Sequence, residues 1–210
     1  MRLRRRLFSK ALRLNICWRT FRVGTEHTVL IHAAAGGVGL IAGQWAKALG
    51  ATVIGTAGSE SKIELARQNG YDHLINYRAE DFVARVLEIT DGRKVDVVYD
   101  SVGKDTFDGS LEVLKPLGLM VSFGQSSGAV PPVDISVLNA KGSLFLTRPS
   151  VFGYNRDRAA LLESAQDLFD VILSGKVRIR IDQRFALTEA RAAHEALESR
   201  ATTGSTLLIP

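Results

Sequence analysis

The 210-residue chain contains a single cysteine, Cys17. One cysteine excludes an intramolecular disulfide framework and a cysteine-based zinc site. No apolar stretch approaches the roughly 18 consecutive residues that a membrane-spanning helix needs. The composition, with 46% hydrophobic and 23% charged residues, is typical of a globular chain that can bury a core without disulfides or metal ions. We therefore expect a protein of a reducing compartment, the cytoplasm.

Acidic residues are absent from positions 1–22, which hold eight of the 27 Lys and Arg residues. The other 19 basic residues are outnumbered by the 22 acidic ones, so the formal net charge of +5 belongs to a basic arm. Such an arm is compatible with nucleic-acid binding, a membrane tether or an organelle transit segment. We favour a solvated extension instead, and we expect neither nucleic acid nor membrane as a partner.

Short apolar segments alternate with helix-like segments from residue 27 onward. Strands are predicted at 27–33, 51–57, 73–76, 95–100, 119–124 and 143–147. Helices are predicted up to Leu49 and over 59–70, 80–90 and 105–118. The segment VDVVYD is continuously apolar in its centre, as in strands buried on both faces. The alternation predicts an α/β fold, a doubly wound parallel sheet spanning residues 23–150.

The rhythm changes after Pro149. A long amphipathic helix is predicted over 156–174, an alternating strand over 177–182, a helix over 188–199 and a terminal strand in STLLIP. These elements do not continue the βα units. We therefore assign residues 151–210 to a second unit.

A glycine turn interrupts the stretch VLIHAAAGGVGLIAGQWAKALG at residues 29–50. The dinucleotide fingerprint G-x-G-x-x-G corresponds here to Ala34, Gly36 and Gly39, with Gly37 added. Alanine at the first position is tolerable only if its φ stays negative. The amides that open the following helix would then face phosphates. The turn predicts nucleotide binding, the alternative being a plain tight βα turn.

No acid ends the second strand, where an NAD site places Asp or Glu on the ribose hydroxyls. The sequence GTAGSESK offers Ser59 and Lys62 instead, which suit a ribose 2′-phosphate. The Glu60 side chain could point toward the nucleotide or away from it. The pattern favours NADPH, and it argues against a methyltransferase, which would want an acid at this position.

Two other catalytic patterns are missing. None of the four tyrosines is followed by lysine four residues later, which excludes the dyad of short-chain dehydrogenases. His32 and His194 are not spaced as a metal pair. We interpret both histidines as structural and expect no metal.

At HAAAGGVGLIAGQWAKALGA the chain resembles the zeta-crystallin-like quinone oxidoreductases of the medium-chain dehydrogenase/reductase superfamily. The resemblance continues through INYR, VVYDSVGKDTF, GLMVSFGQSSGAV, NAKGSLFLTRP and AHEALESRATTGSTLLIP, and covers residues 19–210. It implies a Rossmann fold, a zinc-independent reaction, NADPH as cofactor and a quinone as acceptor. It identifies no acid–base catalyst.

The resemblance also implies cofactor contacts. The pyrophosphate would lie on Gly36, Gly37, Val38 and Gly39. The 2′-phosphate would lie among Ser59, Lys62 and Tyr77, with Arg200 returning to the phosphates. The nicotinamide half would lie near Ser101, Phe123, Gly124, Ser126 and Leu146.

Relatives carry an N-terminal GroES-like catalytic domain before the Rossmann unit. The resemblance implies that this chain lacks most of it, that residues 151–210 are its C-terminal remnant, and that residues 1–18 replace the lost start. It also implies a homodimer through the edge strand at 143–147. The alternative is a catalytically inactive NADPH-binding module.

Overall fold

A six-stranded parallel sheet forms the centre of the protein, as seen in a computed structural model that describes residues 15–199 and 202–210. The strands are β1 (Thr28–Ile31), β2 (Thr52–Ala57), β3 (His73–Asn76), β4 (Val95–Asp100), β5 (Leu114–Ser122) and β6 (Phe145–Thr147). Their order is β3-β2-β1-β4-β5-β6, and every neighbouring pair is parallel. This is the doubly wound order, so the predicted α/β fold is confirmed.

Helices connect the strands on both faces of the sheet. They are α1 (15–20), α2 (Gly39–Ala48), α3 (Glu60–Arg67), α4 (Phe82–Ile89), α5 (Phe107–Glu112), α6 (Ser136–Ala140), α7 (Val151–Tyr154), α8 (Arg158–Leu173) and α9 (Ala190–Glu198). The side chains of Ser59, Asp81 and Asp157 cap α3, α4 and α8 by accepting backbone N–H groups of the first turn. No helix in the described ranges has the length and apolar character needed to cross a bilayer.

Alternate residues of each strand supply two core layers. Val29 and Ile31 of β1 pack into one layer, and Leu30 packs into the other. Leu168 of α8 and Val177 belong to the same layer as Val29. The helix α8 therefore contributes to the same core layer as the sheet, although the sequence assigned residues 151–210 to a second unit.

The helix α1 also belongs to the core. Ile16, Cys17 and Trp18 are buried, and the Trp18 ring lies edge-on to Tyr99 with centroids 4.7 Å apart. The interpretation of residues 1–22 as a solvated arm is therefore wrong for this helix. Residues 1–14 lie outside the described part of the chain.

A separate two-stranded parallel sheet, β7 (Ile181–Ala186) and β8 (Ser205–Ile209), follows. The predicted strand at 177–182 is wrong in position, because the Gln44 side chain binds both backbone groups of Arg178, at 2.8 and 3.1 Å. That contact ties the segment to α2 before β7 can begin. At the other end, the Gly204 N–H donates to the Ala35 oxygen at 3.3 Å, so β8 begins beside the glycine turn.

The predicted helix at 105–118 is too long. It ends at Glu112, and β5 already begins at Leu114. Pro116 cannot lie in a helix interior, and Leu117 adopts a φ of 62° with its N–H bound to the Gly142 oxygen. These constraints turn the segment into an irregular strand start.

Candidate functional site

The glycine turn (residues 33–39) connects β1 to α2 at the carboxyl edge of the sheet. Ala34 is buried and avoids positive φ, as the sequence required, because the left-handed conformation falls on Ala33 with φ 57°. The Ala34 N–H donates to the Thr56 oxygen at 2.9 Å and so ties the turn to β2. A non-glycine residue in this conformation is strained, which is a feature of functional loops.

Gly39 is where α2 approaches the turn most closely. A Cβ at Gly39 would lie 2.3 Å from the Ala33 oxygen and 2.6 Å from the Ala34 oxygen. A Cβ at Gly36 would lie 3.2 Å from the same Ala33 oxygen. Only glycine fits at position 39, which matches the packing role of the third fingerprint glycine.

Three backbone amides of the turn are candidates for binding a ligand. Across residues 15–199 and 202–210, no protein acceptor takes the N–H groups of Gly37, Val38 and Gly39, whereas the Gly36 N–H is bound to the Ala33 oxygen. Val38 is the N-cap of α2 and makes no side-chain cap bond. Exposed N–H groups and the positive end of the helix dipole together favour an anion at this place.

A hydroxyl-rich corner lies after β2. The Ser59 Oγ caps α3 by accepting the Lys62 N–H at 3.4 Å and lies 3.2 Å from the Ser61 Oγ. The Tyr77 phenol, 42% exposed, packs on Gly58, where an added Cβ would lie 2.5 Å from its oxygen. The structure thus brings together the three residues that the sequence selected, Ser59, Lys62 and Tyr77.

A second group of predicted residues meets after β4 and β5. The Ser126 N–H donates to the Ser101 oxygen at 3.2 Å, and a Cβ at Gly124 would lie 2.5 Å from that oxygen. Phe123 and Gly124 also line a cavity of about 420 Å³ together with Gln125, Arg148 and residues 149–152. Leu146 lies on β6, two residues before Arg148, and is not part of this lining. Arg200 lies outside the described residues.

Comparison with known proteins decides the family. The profile of zinc-binding dehydrogenases matches residues 37–171. The chain belongs to the zinc-binding dehydrogenase family. Its place in the medium-chain dehydrogenase/reductase superfamily, expected from the sequence motifs, is thereby confirmed.

Individual members of the family are close in sequence. The chain is 56% identical to a quinone oxidoreductase of Salmonella typhimurium over 91% of its own length and 59% of that protein. It is 46% identical to a 2-haloacrylate reductase of a Burkholderia species, over 91% of its own length and 58% of that protein. The chain thus spans a little under three fifths of these relatives.

Solved structures agree with this relationship. The Escherichia coli quinone oxidoreductase complexed with NADPH superposes with a TM-score of 0.93 at 53% identity, over 96% of this chain and 63% of that one. A further quinone oxidoreductase, from Pseudomonas syringae, superposes with a TM-score of 0.92 at 46% identity, over 96% of this chain and 62% of that one. The family's Rossmann-like sheet is therefore the fold of this chain.

The family name implies zinc, but the described residues do not fit a zinc site. Among them no group of three or more His, Cys, Asp or Glu side chains is placed to hold a metal ion. The one cysteine, Cys17, is fully buried, and this burial raises the pKa of its thiol to about 12. A thiol that stays protonated is a poor metal ligand.

Sequence reasoning missed a buried carboxylate at the carboxyl edge of the sheet. Asp100, at the end of β4, is fully buried, and its carboxylate accepts four hydrogen bonds. The donors are Val102 N at 2.6 Å, Gly103 N at 3.0 Å, Thr106 Oγ1 at 2.7 Å and Ser110 Oγ at 3.4 Å. Asp100 therefore shapes the loop that carries Ser101. An acid that directly follows the apolar centre of a strand, as in VDVVYD, was the available signal.

His32 extends this network across the sheet. Its Nε2 lies 3.0 Å from the Ser110 Oγ, and its Nδ1 lies 2.9 Å from the Thr56 Oγ1. Because Ser110 donates to Asp100, its oxygen accepts from the His32 Nε2–H, and Thr56 then donates to Nδ1. Burial lowers the pKa of His32, opposed by the weaker attraction of Asp100. His32 is thus a neutral residue that links β1, β2 and α5.

Proposed function

We propose that this chain binds NADPH and belongs to an enzyme that transfers hydride from it to a quinone, without zinc. The observation that supports this most is the set of amides at Gly37, Val38 and Gly39, at the N-terminus of α2, which have no acceptor among the described residues. The absence of an acid at the end of β2, where Ser59 stands instead, supports the phosphorylated nucleotide. The quinone oxidoreductases among the relatives support the acceptor.

The bound NADPH supplies the hydride, and the residues of this chain orient it. The amides of the glycine turn hold the pyrophosphate, and Ser59, Lys62 and Tyr77 surround the 2′-phosphate. The absence of a side chain at Gly124 leaves room for the nicotinamide beside Ser101 and Phe123. The cavity lined by Arg148 then receives the acceptor. Orientation in a water-poor cleft is the contribution that a protein makes to hydride transfer.

Residues 23 to about 180 form the nucleotide-binding unit in this proposal. Leu168 and Val177 belong to the same buried core layer as Val29 and Ile31 of β1, which supports this later boundary. The separate β7–β8 sheet would then complete a catalytic domain, as the resemblance implies.

NADPH binding is tested by titrating the purified protein with NADPH and NADH and following nicotinamide fluorescence. We expect NADPH to bind more tightly. Lys62→Ala should weaken NADPH binding roughly 10- to 100-fold, as expected for loss of a charge-assisted hydrogen bond, and should leave NADH binding nearly unchanged. Lys176→Ala, which removes an exposed lysine after α8, is the matched control. Equal affinity of the two nucleotides for the wild-type protein would refute the proposal.

The second candidate function is an NADPH-binding module without turnover. The sequence motifs identify no acid–base catalyst, which is compatible with a binding role. NADPH oxidation with a small quinone distinguishes the two functions. Binding without oxidation supports the module, and oxidation supports the enzyme.

A second copy of this chain is the proposed protein partner. In the described ranges β6 pairs only with β5, and Phe145 and Leu146 on it are 58% and 38% exposed. Such an apolar edge strand favours pairing with another edge. Phe145→Lys should therefore shift a dimer to monomer in analytical ultracentrifugation, whereas Leu173→Lys, at an 82% exposed position on α8, should not. A wild-type monomer would contradict this pairing.

A further inference from the structure

Asn76, the last residue of β3, makes three separate contacts beside the hydroxyl-rich corner. Its Nδ2 donates to the Glu60 carboxylate at 2.7 Å. Its backbone N–H donates to the Glu80 carboxylate at 3.3 Å, and its Oδ1 accepts the Arg78 N–H at 3.3 Å. One asparagine thus contacts both acids nearest to the corner that the proposed function assigns to the 2′-phosphate.

Glu60 is the acid that matters for nucleotide choice. It is the first residue of α3, directly after the capping Ser59 and two residues before Lys62. A carboxylate in this region of a Rossmann site accepts hydrogen bonds from ribose hydroxyls and repels a 2′-phosphate. The sequence alone left its direction open. In the structure its carboxylate is bound to the amide of Asn76, on the neighbouring strand.

The hydrogen bond also lowers the capacity of Glu60 to act on a ligand. A carboxylate has two oxygens and accepts about four hydrogen bonds, and one of them is already used. The amide contact also fixes the rotamer of an exposed, flexible side chain. The restrained carboxylate therefore adds less negative charge at the place where the proposed function has Lys62 bind the 2′-phosphate.

We propose that Asn76 is a specificity-determining residue, which holds the Glu60 carboxylate away from the nucleotide and so favours NADPH over NADH. Asn76 is a positioning residue, since it acts through Glu60. The proposal rests on the proposed NADPH function and deepens it.

The backbone around Asn76 makes its side chain separable from the fold. The Ala79 and Glu80 N–H groups donate to the Asn76 backbone oxygen, each at 2.9 Å, and the Tyr77 N–H donates to the Ala57 oxygen at 3.1 Å. These backbone bonds form the turn that presents Tyr77. The amide side chain adds the 3.3 Å bond from the Arg78 N–H, which Asn76→Ala removes and Asn76→Asp keeps. The backbone bonds hold the turn in both variants.

The test is a double-mutant cycle measured on NADPH and NADH binding by the full chain. Asn76→Ala should weaken NADPH binding about tenfold, because the released carboxylate repels the 2′-phosphate, and should leave NADH binding equal or tighter. Glu60→Gln alone should change NADPH binding less than about twofold, since an exposed, restrained carboxylate contributes little. In the Asn76→Ala background, Glu60→Gln should restore the wild-type preference.

A purely structural role of Asn76 predicts a different result. In that case Asn76→Ala would weaken the binding of both nucleotides equally, and Glu60→Gln would not restore the NADPH preference. That outcome overturns the inference. Asn69→Ala is the matched control, because it removes a 2.7 Å side-chain bond to the Leu65 oxygen at the far end of α3. Asn76→Asp, of nearly equal size, covers the case in which the alanine variant is poorly folded. It should lower the NADPH preference at least as much, and an unchanged preference overturns the inference.

The two proposals fail in distinguishable ways. A wild-type protein that binds both nucleotides equally refutes NADPH specificity itself. A wild-type preference for NADPH that survives in Asn76→Ala refutes only the role of Asn76.

Discussion

Replacing Gly39 by alanine should abolish NADPH binding and lower the free energy of unfolding by on the order of 3 kcal/mol. The new methyl carbon would lie 2.3 Å from the Ala33 oxygen and 2.6 Å from the Ala34 oxygen. Both atoms are backbone, so neither can move without shifting β1 or the turn. The shift would move the amides of Gly37 and Val38 away from the positions in which we propose that they bind phosphate. Urea unfolding and NADPH titration measure the two effects.

Gly36→Ala gives a graded comparison. Its added Cβ lies 3.2 Å from the Ala33 oxygen, so its stability cost should be about 1 kcal/mol, while the methyl group still obstructs a pyrophosphate. Gly153→Ala is the stability control, because its Cβ would meet only the Ser150 Cβ at 3.8 Å. The turn would lose its assigned role if Gly36→Ala bound NADPH with wild-type affinity.

Local apolar pattern sufficed to predict the central sheet. The segments HLIN and VDVVYD became β3 and β4 with the predicted bounds, because a strand buried on both faces needs a short continuous apolar run. The start of β5 at Leu114 was missed. It depends on Gly142, a partner 25 positions from Leu117, which no local window contains.

The residues of the candidate site also differ in whether local sequence sufficed to predict them. Gly39 and Ser59 each belong to a short sequence pattern that the chemistry needs, so they were predicted. Asn76 was not predicted, because its partner is distant in sequence. Asp100 was not predicted, because its role depends on burial. The Asn76 amide contacts the Glu60 carboxylate, 16 positions away in sequence. The Ser110 hydroxyl connects Asp100 to His32, which is 78 positions from Ser110.

The basic arm was misread for a related reason. Charge dominates residues 1–22, but the Trp18 ring packs between Tyr99 and Trp45. Net charge over a window conceals one apolar face of a helix, and only the packed structure shows which face it is.

Replacing Asp100 by alanine should have the second large effect, a loss of about 3–5 kcal/mol in the free energy of unfolding. The change would leave two backbone amides, at Val102 and Gly103, and the hydroxyls of Thr106 and Ser110 without their buried acceptor. The loop carrying Ser101 would open. Any folded fraction should bind 2′,5′-ADP normally and NADPH weakly, because the proposed function places only the nicotinamide half at that loop. Asp105→Ala, at an exposed position in the same loop, is the control.

Asp100→Asn should cost far less, about 1 kcal/mol, because its oxygen still accepts both amides and the two hydroxyls rotate to accept from its NH₂ group. Ser110 would then have to donate to the His32 Nε2, and Thr56 would have to accept from Nδ1–H. The proton on His32 therefore moves from Nε2 to Nδ1, which ¹⁵N chemical shifts report directly. An unchanged His32 tautomer in Asp100→Asn, or an alanine variant as stable as the asparagine one, would contradict the hydrogen-bond direction assigned to this network. The loop carrying Ser101 would then need another anchor.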